Sequence, residues 1–449
     1  MSNTMYDPLV NNDIGCNATY PNSYWAQHVD TQPDTVTLQQ DITTDVVVVG
    51  GGYTGLSCAY QLAQRFNREV TVLEANRAGW GCSGRNAGFV LRGTGRLSLA
   101  QLSQKFGLDI ARVFHQEYSD AITQVRQMIA EGNINCDAQT PGYLKVAHKA
   151  SLAADFPAQV EFLQRQFGYK AEYLSAAEVK SDYMHNTQAH GAIRFADCFG
   201  VNPLALAQGY AAMAQRSGAR LYSGSPVTKW QRNTDGGFVL QTPQARVHCK
   251  QLVFATNGYT PKGFYPPLNR ACLPVLSSII VTSPLSEQQL QQSGLHHNQI
   301  VMDTRALKYY YRKLPDNRIL FGGRSAVYGK DAEKAVYPAR LLSALKNCFP
   351  MLDDLRCDYH WSGWVAVSYD DLPRVCEAES GLFYAGGYCG SGLSFSTLAG
   401  VRLAELTMGL ALPDLPIYQG TLAPFPLPAF RRLGQQGYYQ WGRFKDRFL

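Results

Sequence analysis

The spacing of hydrophobic and polar residues predicts how the ordered part of the chain begins. After a polar lead over residues 1–40, the β-branched run 45–49 is typical of a strand buried on both faces, and 69–74 predicts a second strand. Between them, apolar residues recur at helical spacing over 56–65. A strand, a helix and a strand within about 30 residues form a β-α-β unit, which predicts a parallel sheet.

The later pattern predicts further helices and many short strands. Apolar and charged positions interleave at helical spacing over 97–131, 151–180 and 337–348, and Pro203 opens a helix that Gly218 ends. Alternation predicts strands at 219–222, 227–231, 237–241, 246–249 and 251–255, and across 270–325. This mixture indicates an α/β protein with more than one domain.

Composition and charge narrow the functional classes. Of the 449 residues, 45% are hydrophobic and 17% are charged, which indicates a globular protein with a substantial core. The net charge of +6 is mild and no dense Lys/Arg block occurs, so neither nucleic acid nor an anionic membrane is an expected partner. The sequence contains no run of about 18 apolar residues, so we expect no integral membrane segment. The eleven cysteines lack C-x-x-C pairs and zinc spacing, so we expect no metal site and a reduced, cytoplasmic protein.

A glycine-rich turn joins the first strand to the first helix. Its pattern is Gly50-x-Gly52-x-x-Gly55, and the second strand ends at Glu74. In such a turn the first glycine permits the bend, the second lets the backbone approach a pyrophosphate, and the third lets helix and strand pack closely. The helix N-terminus favours phosphate, and Glu74 is placed to bind a ribose hydroxyl. Together these parts predict a dinucleotide site without distinguishing NAD from FAD.

Two further glycine-rich segments favour FAD. Residues 79–89 follow the second strand and are rich in small residues, where a simple NAD-binding fold usually continues into a helix. Residues 382–396 have the pattern of a strand, a glycine loop and a helix start, far along the chain from the first loop. Two remote loops that each open a helix suit an extended dinucleotide such as FAD.

These segments carry a family resemblance. The chain resembles the D-amino-acid oxidase-like FAD-dependent oxidoreductases, which include sarcosine oxidase and glycine oxidase, over about residues 40–410. The matching motifs lie at 46–56, 72–75, 81–88 and 384–392. Within this family the sequence is most similar to the bacterial gamma-glutamylputrescine oxidoreductases, with matches at 50–57, 83–86, 310–312, 316–318 and 327–329. L-pipecolate oxidases share several of these motifs.

The resemblance implies a two-domain fold. A Rossmann-like FAD-binding domain is expected beside an α+β substrate domain built on a mainly antiparallel sheet. The expected FAD-binding segments are 41–95, 195–260 and 361–410, the substrate segments are 96–194 and 261–360, and the flanks are an irregular lead, 1–40, and a C-terminal tail, 411–449. The sequence leaves the oligomeric state open.

The resemblance also implies how the cofactor is held. Non-covalent FAD is expected, because Arg85 stands where some relatives carry a linking His, and Gly363 stands near the place of the linking Cys of sarcosine oxidase. The implied FAD contacts are Gly50, Gly52, Tyr53, Thr54, Gly55, Glu74, Ala75, Ser83, Gly84, Arg85, Asn86, Ala87, Gly88, Val227, Thr256, Gly363, Gly390, Ser391, Gly392, Leu393 and Ser394.

The reaction that the resemblance implies is oxidation of an amine. Hydride leaves the carbon beside nitrogen for the flavin, and the imine hydrolyses to aldehyde and ammonia. Reoxidation by O₂ gives H₂O₂; however, 273–282 lacks the Lys that assists O₂ in sarcosine oxidases, so a quinone or another carrier is an alternative acceptor. The expected substrate is gamma-glutamylputrescine or a similar amine, and the alternative is a cyclic or N-substituted amino acid such as pipecolate or sarcosine. A flavin-binding protein without turnover is a third class.

A run of tyrosines supplies substrate-facing candidates. Tyr309 and Tyr311 share one face of a predicted strand, and Tyr310 takes the other. Phenol rings on either face suit a cationic amine, although packing within the sheet is the favoured interpretation for any single tyrosine. We predict that Tyr309 and Tyr311 face the substrate.

Two arginines and two tryptophans complete the set. Arg312 and Arg324 are candidates for binding a substrate carboxylate by a two-pronged contact, as a gamma-glutamyl group requires; an exposed or structural ion pair is the alternative for each. Trp361 and Trp364 flank Gly363 and are candidates for a wall of the site, with packing in the core as the alternative. We include Arg312 and Trp364 with the two tyrosines among the residues predicted to carry the reaction.

Overall fold

Two eight-stranded sheets form the frame of the computed structural model, which describes residues 5–29 and 36–448. The parts of the N-terminal lead at 1–4 and 30–35 lie outside the described residues. The strands are β1 (Ile42–Val49), β2 (Val70–Leu73), β3 (Phe89–Val90), β4 (Tyr143–Val146), β5 (Ala171–Ser175), β6 (Gly191–Phe195), β7 (Phe199–Gly200), β8 (Arg220–Tyr222), β9 (Lys229–Arg232), β10 (Phe238–Gln241), β11 (Arg246–Phe254), β12 (Cys272–Thr282), β13 (Ile300–Asp303), β14 (Tyr310–Lys313), β15 (Ile319–Arg324), β16 (Cys357–Ser368), β17 (Arg374–Glu379) and β18 (Leu382–Gly386).

Helices cover the first sheet and flank the second. They are α1 (Tyr24–Gln27), α2 (Tyr53–Gln64), α3 (Leu99–Phe106), α4 (Leu108–Gly132), α5 (Ala150–Ala153), α6 (Phe156–Phe167), α7 (Ala176–Asp182), α8 (Pro203–Arg216), α9 (Pro266–Ala271), α10 (Glu287–Ser293), α11 (Val336–Cys348), α12 (Leu393–Thr407) and α13 (Arg431–Phe448). Within the described ranges, no helix is long and apolar enough to cross a membrane.

The first sheet has the order β17-β18-β11-β1-β2-β8, and its central pairs are parallel. Val46, Val47 and Val48 in β1 have no exposed surface, because α2 and α8 cover one face and the β9–β10 hairpin lies towards the other. The predicted Rossmann-like α/β domain is thereby confirmed. The predicted helix at Pro203 is also present, and Asn202 caps it with bonds of 3.1 Å from the N–H groups of Leu204 and Ala205.

The second sheet has the order β16-β12-β15-β14-β13-β4-β6-β5 and is antiparallel except where β13 pairs with β4. The expected mainly antiparallel substrate sheet is therefore present. One expected boundary needs correction: β16 pairs with β12 from Cys357 through Ser368, so 361–368 belong to this sheet. A continuous ladder of hydrogen bonds holds those residues in the second sheet rather than in the first domain.

The predicted helix over 151–180 is wrong in part. Gly168, with φ +62°, ends α6, and Ala171–Ser175 then pairs with β6 as a strand. Ser175 next caps α7 in a reciprocal bond pair with Glu178. Helical spacing alone did not reveal this strand, because its side chains are buried at only two of five positions.

Candidate active site

A cavity of about 630 Å³ lies between the two sheets. One wall is formed by the ends of β1 and β2 and by the glycine loop that follows β1. The opposite wall is the face of the second sheet made by β12, β14, β15 and β16. The loop before α12 and one side of α13 complete the enclosure. The early and late glycine loops, which are remote in sequence, therefore share one cavity of a size typical for ligand sites.

The early glycine loop leaves room at the cavity wall. Gly50 has φ +113°, and a Cβ there would lie 2.9 Å from the carbonyl oxygen of Ala255. A Cβ on Gly52 would lie 2.8 Å from Oγ of Ser83. Gly55 does not line the cavity, since a Cβ there would collide with the carbonyl oxygen of Gly50. Its predicted cofactor contact is therefore corrected: Gly55 serves the close packing of α2 on the strand.

The start of α2 is directed at this loop. Gly52 precedes the helix and has no side chain to cap it, so N–H groups of the first turn remain available to a ligand. The N–H of Tyr53 is the exception, because it donates to Oγ of Ser83 at 3.1 Å. The hydroxyl of Thr54 lies 2.8 Å from that of Tyr388, which joins the early loop to the late one. Tyr53 and Thr54 both line the cavity, as predicted.

Glu74 lines the cavity and also holds the glycine loop in shape. One carboxylate oxygen accepts from the N–H of Gly51 at 2.7 Å, and the other accepts from the N–H of Asn76 at 2.9 Å. Burial raises the pKa of Glu74, although these backbone bonds act against the rise. A carboxylate has about four acceptor positions, so a ribose hydroxyl can still bind. The cavity lining at this end also includes Ala75, Val227 and Thr256.

The segment after β2 contributes four of its six predicted contacts. Ser83, Arg85, Asn86 and Ala87 line the cavity, whereas Gly84 and Gly88 do not. A Cβ on Gly84 would lie 2.7 Å from a side-chain carbon of Leu204 in α8. Gly88 has φ +72°, and a Cβ there would collide with the carbonyl oxygen of Val201. These two glycines are needed for backbone packing behind the cavity wall, so their predicted direct contacts are corrected.

The late loop presents small residues and a second helix start. Gly390, Ser391, Gly392 and Leu393 line the cavity, and α12 begins at Leu393 without a capping side chain. The hydroxyl of Ser394 instead donates to the carbonyl of Leu91 at 2.5 Å, and Ser394 lies outside the lining. Its predicted contact is wrong for that reason: the helical turn directs its side chain away from the cavity.

A buried cation lies where this loop approaches the second sheet. Arg85 is 8% exposed, and its Nε donates to the carbonyl of Trp80 at 2.8 Å. Gly363 lines the cavity beside Arg85. A Cβ on Gly363 would lie 3.2 Å from the Cβ of Arg85, which is a tight contact. In the described part of the chain, no carboxylate lies within 4 Å of the Arg85 guanidinium. Its positive charge is therefore available to an anionic group in the cavity.

The structure reverses the prediction for the tyrosine run. Tyr310 lines the cavity, and its hydroxyl lies 2.7 Å from that of Ser277. Tyr311 is stacked on Phe321 at 5.5 Å between ring centroids, and Tyr309 packs on the same ring at 5.2 Å. Successive side chains point to opposite faces of a strand, so the predicted sharing of one face is right. The predicted face is wrong: Tyr309 and Tyr311 belong to the core behind the sheet.

Arg312 and Trp364 are also outside the cavity lining. The guanidinium of Arg312 donates to Oε1 of Gln139 at 2.9 Å and to the carbonyl of Val201 at 2.6 Å. Burial lowers its pKa to about 9. Trp364 is fully buried, and its Nε1 donates to the carbonyl of Tyr6 at 2.6 Å. Both residues brace chain segments against each other, so their predicted roles in the reaction are corrected.

Two other side chains, both positively charged, face the cavity where Arg312 and Trp364 do not. Arg324, at the end of β15, lines the cavity as the sequence allowed, and Lys308 lines it as well. Lys308 has a large exposed surface that opens into the cavity. Burial, Arg324 and Arg96 lower the pKa of Lys308. Among the described residues, neither Lys308 nor Arg324 has a carboxylate within 4 Å. Lys308 precedes Tyr310 by two positions, and alternation along an extended chain places both on one face. The sequence could have indicated Lys308 only if the face of Tyr310 had been chosen as the cavity face.

Other cavity residues were not predicted from the sequence. Arg305 pairs with Asp303, and Arg96 lies 3.6 Å from Asp371. The hydroxyl of Tyr438, which belongs to α13, accepts from Arg96 at 2.9 Å. The C-terminal tail, 411–449, thus contributes to the cavity wall through Tyr438. No local motif reveals the contacts of Arg96, because they join segments that are far apart in the chain. Arg305 and Asp303 are close in sequence, but only the fold places Arg305 at the cavity.

Comparisons with known proteins agree with this geometry. The sequence profile of the DAO family, described as FAD dependent oxidoreductase, matches residues 45–406. The chain is 33% identical to gamma-glutamylputrescine oxidoreductase of Escherichia coli K12, over 91% of this chain and 93% of that protein. It is 31% identical to a probable oxidoreductase, OrdL, of Rhizobium meliloti, over 90% and 92%. The crystal structure of glycine oxidase from Geobacillus kaustophilus has a similar fold, with a TM-score of 0.68, 22% identity, and coverage of 83% and 96%.

The cavity suits the cofactor of this family. A glycine cradle at Gly50 and Gly52, the open start of α2 and Glu74 fit a nucleotide and its phosphates. Arg85 and the start of α12 fit the anionic side of a flavin ring. On the sequence match and this arrangement together, the chain belongs to the DAO family and is an FAD-dependent oxidoreductase.

Proposed function

We propose that the protein oxidises an amine that also carries a carboxylate, with gamma-glutamylputrescine or a close analogue as the substrate. The observation that supports this proposal most directly is the pair of cavity cations, Lys308 and Arg324, without acidic partners among the described residues. An E. coli relative named gamma-glutamylputrescine oxidoreductase matches nearly the whole chain. The name and the cation pair agree on the same chemistry, because the glutamyl group supplies a carboxylate.

The charges of the cavity favour such a substrate over a plain diamine. Unpaired cations in a partly enclosed site are costly, and a carboxylate compensates them. At an effective dielectric constant of about 20, opposite unit charges about 4 Å apart attract by roughly 4 kcal/mol before desolvation is counted. Arg324 offers the planar fork that suits a carboxylate, and Lys308 offers a compact point charge. A diamine such as putrescine would instead meet like charge.

The same charges prepare the reacting amine. When bound, FAD would supply the acceptor for a hydride equivalent from the carbon beside nitrogen, and this transfer requires the amine to be neutral. Cations around the site lower the pKa of a substrate ammonium, so its proton is released more readily to solvent. The ring and hydroxyl of Tyr310, held by Ser277, offer a surface and a hydrogen-bonding atom that orient the amine. The imine product then hydrolyses to an aldehyde and ammonia.

Electrons are proposed to leave for O₂, with formation of H₂O₂. A quinone or another carrier is a second candidate acceptor, favoured by one observation: β12, which lines the cavity through Ser277 and Ile279, contains no lysine. Reduced protein that reoxidises slowly in air and quickly with a soluble quinone would support the carrier. Fast reoxidation in air with stoichiometric H₂O₂ would support the oxidase.

Anaerobic reduction of the FAD-loaded protein tests the substrate. Gamma-glutamylputrescine should bleach the flavin absorbance near about 450 nm at low concentration, and putrescine should do so only at much higher concentration. Sarcosine and L-pipecolate test the alternative of a cyclic or N-substituted amino acid, since those substrates also carry a carboxylate. The proposal would be contradicted if putrescine and its gamma-glutamyl derivative reduced the flavin equally well. It would also be contradicted if neither amine bleached the flavin.

A further inference from the structure

The C-terminal helix α13 is anchored to the protein through its polar side. Arg432 pairs with Asp7, and the hydroxyl of Tyr438 accepts from a guanidinium N–H of Arg96 at 2.9 Å. Near the end of the helix, the carboxylate of Asp446 accepts from the N–H groups of Ala306 at 2.7 Å and Leu307 at 3.0 Å. These contacts along the helix fix which side of α13 faces outwards.

The outward side carries large apolar residues. Leu433, Trp441, Phe444 and Phe448 are 59%, 47%, 54% and 63% exposed. At about 100° per residue, their positions fall within an arc of roughly 80°, opposite the buried residues of the same helix. We call these four side chains the outer face. Exposed apolar groups gathered in this way indicate a binding surface.

Positive charge borders the outer face on both sides. By helical position, Lys445 lies on one flank, and Arg443 and Arg447 lie on the other; all three are exposed. The sequence 421–449 contains a single acidic residue, Asp446, whose carboxylate is bound to backbone on the inner side. The occupant of this surface is therefore expected to be anionic at the borders and apolar at the centre.

A second copy of the chain does not meet these requirements. A helix of 18 residues is about 27 Å long and presents a strip roughly 10–12 Å wide, or about 300 Å². Stable interfaces bury about 800 Å² per partner. A symmetric pairing of this strip would also place like charges together, which opposes association.

We propose that the outer face of α13 docks in the plane of a lipid surface that contains anionic headgroups. Trp441, Phe444 and Phe448 enter the boundary between headgroups and acyl chains, where aromatic side chains are favoured. The flanking Arg and Lys side chains reach the headgroups while their stems cover apolar surface. The protein lies on the membrane through one helix and does not span it.

The test uses the FAD-loaded full chain and vesicles of phosphatidylglycerol and phosphatidylcholine. Co-sedimentation should be strong with vesicles rich in phosphatidylglycerol and at least tenfold weaker with pure phosphatidylcholine, and it should weaken as salt increases. Binding should also shift the fluorescence of Trp441 to shorter wavelength. Replacing both Trp441 and Phe444 with Gln should reduce binding about tenfold or more, while FAD content and activity on soluble substrate stay unchanged.

Matched substitutions distinguish docking through the outer face from nonspecific adsorption of the protein to vesicles. Val336→Gln removes an exposed apolar side chain on α11, and Lys180→Gln removes an exposed charge on α7; both should bind vesicles like the parent. Equal binding to neutral and anionic vesicles, or no binding to either, would overturn the proposal. So would a stable dimer that the Trp441→Gln, Phe444→Gln variant converts to monomer, because the outer face would then belong to a second copy.

Discussion

Replacing Arg324 with Met is the sharpest test of how the cavity selects its substrate. The change removes the guanidinium but keeps a long unbranched side chain of similar reach. Arg324 lines the cavity at the end of β15, is half-buried, and has no carboxylate within 4 Å among the described residues. No internal ion pair is therefore lost with it, and the principal effect falls on the bound ligand.

The size of the effect follows from the lost contact. Hydrogen bonds to a charged group contribute about 1.5–3 kcal/mol, and a two-pronged contact of Arg with a carboxylate lies towards the upper end. This corresponds to about a 10- to 160-fold loss in kcat/KM for gamma-glutamylputrescine. Putrescine has no carboxylate, so its kcat/KM should stay the same or rise as one repelling charge disappears. The predicted signature is thus a change in selectivity rather than a general loss of activity.

Steady-state kinetics with both substrates, together with anaerobic flavin reduction, measure this selectivity. Arg340→Met is a matched control, because Arg340 is exposed on α11, away from the cavity lining, and its guanidinium stacks over Tyr337. It should leave both substrates unaffected. An equal fall in kcat/KM for putrescine and for its gamma-glutamyl derivative in Arg324→Met would refute the assignment of Arg324 to the carboxylate.

Four further results are expected. Gly52→Val should purify without FAD, because a side chain there meets Ser83, whereas Gly437→Ala, which has open space, should keep full flavin absorbance. Tyr310→Phe should slow flavin reduction by the substrate. Tyr311→Phe should leave that rate unchanged and lower the free energy of unfolding by about 1 kcal/mol, since it loses the 2.7 Å bond from Asn186 and a weak bond to the sulfur of Met184. A dicarboxylate inhibitor such as glutarate should bind less tightly as pH rises through the lowered pKa of Lys308, because the ammonium is charged only below that pKa, and Lys308→Met should flatten this dependence. Acid precipitation should release all FAD into the supernatant, and flavin that stays with the protein pellet would contradict non-covalent binding.

Much of the cofactor site was predictable because its constraints are local. The turn at Gly50 needs a positive φ, Gly52 must leave space, and Glu74 ends the neighbouring strand at a set distance along the chain. Strand, turn and helix lie within one short segment, so residue types and spacing suffice to describe them. Most of the predicted lining residues in this region do line the cavity.

The substrate side was much less predictable. Alternation correctly separated Tyr310 from Tyr309 and Tyr311, but the strand alone does not say which of its faces meets the cavity and which meets the core around Phe321. That choice depends on α11 covering one face of the sheet, and it also decides whether Lys308 belongs to the site.

Local chain chemistry was thus enough for the β-α-β unit, the glycine loops and the flavin family, since backbone freedom, helix ends and strand periodicity act over a few residues. Only tertiary packing brings Lys308, Arg324, Arg96 and Tyr438 to the cavity, because these residues come from separate elements. The three cations and Tyr438 line one cavity only because the second sheet and α13 close around it. A pattern of residues along a chain carries no record of which distant segments will meet.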